Sequence, residues 1–79
     1  MSISNEAVAQ LIREGIPDAT VEVSGDGYKY EATVISPSFE DLNTLKRHQA
    51  IYAAVNSAIT SGDLHALTLH AHTPDEVTG

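Results

Sequence analysis

Hydrophobic positions along the chain change period several times, and each change marks an element. From Ser4 to about Gly15, Val8, Leu11 and Ile12 recur at i, i+3 and i+4, while Glu6, Arg13 and Glu14 fall off that stripe. This spacing predicts an amphipathic helix ending at Gly15, read as a left-handed cap. After the Ile16-Pro17-Asp18 connector the period drops to two. Ala19, Val21 and Val23 alternate with Thr20, Glu22 and Ser24; beyond Gly25-Asp26-Gly27, Tyr28, Tyr30, Ala32 and Val34 alternate with Lys29, Glu31 and Thr33. Two half-buried strands joined by a glycine-rich turn predict a hairpin.

Ser36-Pro37-Ser38 breaks the second strand, because proline cannot donate to a ladder and restricts the residue before it. Phe39 is expected as an anchor under a short turn or one-turn helix. From about Asn43 to Ser61, Leu45, His48, Tyr52, Val55 and Ile59 recur every three or four residues, predicting the principal core helix with Gly62 as its stop. Leu64 to Ala71 reads as a third strand, with Leu67, Leu69 and Ala71 on one face and Ala66, Thr68 and His70 on the other. Thr73-Pro74-Asp75-Glu76 has the form of a capping box, predicting a single final helical turn. The order is α-β-β-α-α-β: an α+β fold in one domain spanning 1–79, a three-stranded sheet with helices packed on one face.

Length and composition narrow the function classes. At 79 residues the chain carries one core, and 42% hydrophobic residues dispersed among charges is globular composition. No run approaches the roughly 20 apolar residues that cross a bilayer, and Met1 to Glu6 lacks the basic and apolar regions of a signal peptide, so no membrane association and a cytoplasmic location are expected. The absence of cysteine excludes thiol catalysis and cysteine-ligated zinc by this chain. Eleven acidic residues against four basic ones give a formal charge of −7, a field that repels polyanions and favours solubility as a monomer.

Candidate chemistry is sparse. There is no G-x-S-x-G elbow, phosphate-binding loop or H-E-x-x-H pair, and a non-enzymatic role is expected. His70 and His72 share a strand face and are spaced for chelation, but no acidic or cysteine ligand has matching spacing, which favours an exposed pair at the strand end. His65 opens the same strand on the parity of Leu67 and Leu69, as a hydrogen-bonded structural histidine or as an oriented, reachable ligand. Gly25, Asp26 and Gly27 need only a turn. Lys46 and Arg47, the exposed members of Lys46-Arg47-His48, together with Tyr52 one turn later, form a candidate surface for a nucleic acid or an acidic patch on a protein partner.

Several segments in this order resemble a known family: Val23-Ser24-Gly25-Asp26-Gly27, Tyr30-Glu31, Lys46-Arg47-His48-Gln49-Ala50-Ile51-Tyr52, Leu64-His65-Ala66-Leu67-Thr68-Leu69 and Thr73-Pro74. The chain resembles BolA-like proteins over nearly its whole length. The resemblance implies a fold related to the type II KH domain. It also implies a monothiol glutaredoxin as partner and a [2Fe-2S] cluster shared with it, none being bound alone, with His65 matching the family's iron-ligating histidine. Many relatives carry a second histidine or a cysteine in the hairpin; here Lys29 stands at about that place, a protonated lysine cannot bind iron, and Asp26 offers only oxygen. The expected function is a glutaredoxin-binding adaptor that modulates cluster assembly, transfer or iron signalling. The alternatives are a nucleic-acid-binding transcriptional regulator, opposed by the acidic charge and the lack of a G-x-x-G loop between helices, and a stress-response interaction protein without metal or nucleic acid.

Overall fold

A computed structural model describes residues Ser2 to Thr78. The elements are α1 (Asn5–Gly15), β1 (Thr20–Gly25), β2 (Lys29–Ile35), a 3-10 turn (Pro37–Phe39), α2 (Thr44–Ser61), β3 (Ala66–His72) and α3 (Pro74–Thr78). Local chemistry sets their limits. The Ser4 hydroxyl accepts from the Ala7 N–H to cap α1, and the Asn43 side chain does the same for α2 through Lys46 N–H. Gly62 stops α2 in the left-handed region at φ 86°, its N–H donating to Ala58 and Ile59 carbonyls. Thr73 and Glu76 close the capping box reciprocally: Thr73 N–H donates to Glu76 Oε1 at 3.0 Å and Glu76 N–H to Thr73 Oγ1 at 3.2 Å.

The strands lie in the order β1-β2-β3, with β1 antiparallel and β3 parallel to β2. A parallel neighbour cannot be reached by a tight turn, and α2 is the crossover that carries the chain from the end of β2 back to its start. On the inner face, buried Tyr30, Ala32, Val34 and Leu69 meet Val8 and Ile12 of α1 and Ile51, Val55 and Ala58 of α2, with Phe39 and Leu64 closing the core. Both long helices pack on this face and the other is open to water, as the alternation in the strands requires.

Three expectations need correction. Gly15 does not take a left-handed conformation; α1 ends on Ile16 at φ −132°, and Gly15 is small because a Cβ there would stand 2.6 Å from the Ala54 Cβ where α1 crosses α2. The stripe predicted for α2 is rotated: Leu45, Tyr52 and Ile59, spaced by seven, are 65%, 42% and 38% exposed, while Val55 of that stripe is buried together with Ile51 and Ala58. Tyr28, placed by alternation with Tyr30 on the inner face, is 71% exposed, because β2 starts only at Lys29 and Tyr28 belongs to the turn.

Candidate functional site

Because β2 and β3 run parallel with Lys29 opposite Ala66, the residues preceding the two strands, Tyr28 and His65, meet at one end of the sheet. His65 is exposed, and its imidazole lies against the Tyr28 ring with centroids 6.4 Å apart and planes inclined by 32°. The glycines of the hairpin shape this end. Gly27, at φ 90°, supplies the left-handed residue of the turn, and any Cβ on Gly25 would fall 2.5 Å from the Lys29 carbonyl oxygen.

The Asp26 carboxylate is spent on the turn. Its Oδ1 accepts from the N–H groups of Tyr28 and Lys29, both at 2.9 Å, and these bonds, the Lys29 one first, hold the carboxyl below its usual range. The N-terminal segment braces the same end. Tyr30 donates its hydroxyl proton to the Ile3 carbonyl, Ile3 N–H donates to the Asp63 carbonyl, and Asn5 Nδ2 donates to the Gly25 carbonyl. The fold thus gathers His65, Tyr28 and the Gly25-Asp26-Gly27 turn on one open, hydrogen-bonded end of the sheet.

Lys46 and Arg47 lie elsewhere. They stand in the first turn of α2, beside the opposite end of β3, and the length of α2 separates them from His65 by roughly 20 Å at 1.5 Å per residue. Only Lys46 is exposed. The Arg47 side chain is 12% exposed, against the expectation of a free surface cation. Its Nε donates to the Phe39 and Leu42 carbonyls at 3.1 and 2.8 Å, and Nη1 to the Ala71 carbonyl at 3.2 Å. Nη1 and Nη2 also form a fork on Glu76 Oε1 and Oε2 at 2.8 and 3.0 Å. The guanidinium ties the 3-10 turn, α2, β3 and α3 together, and the Glu76 carboxyl is lowered to about 2, first by Arg47 and then by the Thr73 N–H. Arg47 is therefore an internal clamp. Tyr52, 42% exposed, sits midway along the solvent face of α2.

His70 and His72 face the open side of the sheet but turn to different carboxylates: His70 Nε2 lies 2.8 Å from Glu31 Oε2, and His72 Nδ1 3.8 Å from Glu76 Oε1. Among the described residues no three His, Cys, Asp or Glu side chains are grouped to hold a metal ion. Two surface depressions, of about 500 Å³ between α1 and β1 and about 400 Å³ beside Pro17 and Phe39, lie away from His65. No helix among the described residues is long and apolar enough to cross a membrane.

The family model described as BolA-like protein matches residues 5–76. The solved structure of a bolA protein homologue from Coxiella burnetii is similar at 37% identity, covering 98% of this chain and 99% of that one, with a TM-score of 0.88. The acid stress protein IbaG of Escherichia coli is 24% identical over 74 residues, 94% of this chain and 88% of that one. The DNA-binding transcriptional regulator BolA of Haemophilus influenzae is 33% identical over 52 residues, 66% of this chain and 50% of that one.

Proposed function

We propose, for a chain that belongs to the BolA-like family, a non-enzymatic adaptor role in which it docks a monothiol glutaredoxin and modulates [2Fe-2S] cluster assembly, transfer or iron signalling in the cytoplasm. The observation that carries this reading is His65: an exposed imidazole held at an open, braced end of the sheet and matching the family's ligand position. The donor set fits a shared group only in part. At this end of the sheet the chain offers one imidazole, it has no cysteine to supply a thiolate, and Asp26 is committed to the turn, so the remaining ligands must be the partner's or an exogenous thiol's. When bound, the cluster would supply one-electron chemistry; the chain's part is to present His65.

The rival reading, a DNA-binding regulator, draws on the name of the Haemophilus influenzae relative. It is opposed by the formal charge of −7 and by the internal engagement of Arg47, which leaves Lys46 as the exposed cation of that segment.

The test is a titration of [2Fe-2S]-loaded monothiol glutaredoxin followed by visible absorption and circular dichroism, with His65→Ala in parallel. A spectral change with wild type that His65→Ala abolishes is the expected result. Binding without spectral change would reduce the role to docking, and no binding, together with tight, salt-sensitive binding to DNA, would replace the adaptor by the regulator.

A further inference from the structure

The hairpin brings no histidine or cysteine to His65, yet it brings a side chain: Tyr28. Its placement is specified by the surrounding backbone. The Lys29–Ala66 register sets the two preceding residues side by side, Gly27 at φ 90° and the Asp26 carboxylate fix the turn, and the Asp26 bond to the Tyr28 N–H holds that residue's backbone directly. A centroid separation of 6.4 Å and a 32° tilt fall within the range in which rings attract through their quadrupoles and contact area. Of the three tyrosines, Tyr30 is buried in the core, whereas Tyr28 remains 71% exposed with its ring centroid 6.4 Å from that of His65. An exposed aromatic is held in place here without being needed by the core.

We infer that Tyr28 is the positioning residue of His65: its ring forms a wall that restricts the imidazole's rotamers and shields one of its faces. This deepens the adaptor reading and rests on it for its functional meaning. Tyr28 acts through His65 and is not itself a ligand, so the ring is essential and the hydroxyl dispensable. Lys29 and Asp26, the other side chains of the turn, take no part: Asp26 is engaged by backbone N–H groups, and Lys29 begins β2.

Two variants separate ring from hydroxyl, Tyr28→Phe and Tyr28→Ala, and far-UV circular dichroism checks that both fold, as the exposure of Tyr28 leads one to expect. In the free protein, proton NMR of the His65 ring is expected to show an upfield ring-current displacement in wild type and Tyr28→Phe that disappears in Tyr28→Ala. Unchanged His65 shifts in Tyr28→Ala would overturn the inference, and this arm needs no partner. In the glutaredoxin titration, Tyr28→Phe is expected to follow wild type, while Tyr28→Ala requires about two- to tenfold more protein for the same spectral change, the range a single ring pair supports. Loss of the spectral change in Tyr28→Phe would make the phenol oxygen a ligand and overturn the positioning role. If wild type itself leaves the spectrum unchanged, the cluster role in the adaptor reading fails and the ring-current arm decides the role of Tyr28 alone.

Discussion

Gly15→Ala tests the account of how α1 and α2 meet. A Cβ at position 15 would stand 2.6 Å from the Ala54 Cβ and 3.2 Å from its Cα, and the second contact is backbone, which cannot rotate away. Two opposing terms set the sign. Gly15 has ordinary helical geometry in the last turn of α1, so alanine gains up to about 1 kcal/mol of helix propensity, less at a frayed end. Against this, overpacking a close helix contact costs about 1–3 kcal/mol, because both helices are held by the core beneath them and must separate together. Net destabilisation of about 1–2 kcal/mol follows, a fall in Tm of roughly 4–16 °C for a domain of this size. Urea unfolding followed by far-UV circular dichroism measures it. Ala54→Gly in the same chain removes the obstruction, so the double variant should lose less stability than the two single losses added together. A Gly15→Ala protein as stable as wild type, or strictly additive losses, would refute the reasoning and return Gly15 to the role of a simple helix stop.

Two further outcomes follow from the corrected packing. Ile51→Ala, at a fully buried position of α2, should cost about 2–5 kcal/mol in the same assay, whereas Tyr52→Ala on the solvent face should stay within about 1 kcal/mol; the reverse order would restore the stripe read from the sequence. The Glu76 carboxyl, lowered to about 2, contributes stability that is present above its ordinary value of 4.5 and is lost as pH falls through about 2. Thermal unfolding from pH 6 to pH 2 should therefore show an acid limb that is flattened in Glu76→Gln, and equal acid dependence in the two proteins would remove the Arg47–Glu76 clamp from the account.

Elements whose burial is decided within a few residues were legible from the sequence. The α1 stripe, the strand parities and the Thr73–Glu76 box all follow from local periodicity or local hydrogen bonds. The face of α2 was not, because this helix carries two neighbouring apolar stripes: Leu45, Tyr52 and Ile59 on one, and Ile51, Val55 and Ala58 about a quarter-turn away. Which one is buried depends on where α1 and the sheet lie. Arg47 was misplaced for a related reason. A guanidinium that satisfies three backbone carbonyls and a carboxylate distant in sequence leaves no periodic mark, although Glu76 in its capping box gave half of the pair. His65 was found as a residue, but its neighbour was not. Strict alternation continued β2 one position too far, and the signal against it was Asp26, whose carboxylate, two residues before Tyr28, favours a turn over a strand start.

The parallel pairing of β2 with β3 also has a kinetic consequence. Tyr28 and His65 are separated by the whole of β2, the 3-10 turn and the whole of α2, so their contact closes one of the longer loops in the chain. The hairpin and α1 can form from neighbours alone, whereas this contact must wait until α2 has docked and β3 has zipped along β2. A probe at the Tyr28–His65 pair would report this long-range closure, and a nascent or partly opened chain would offer a partner no assembled surface at that end. Recognition there would then distinguish the completed fold from its precursors.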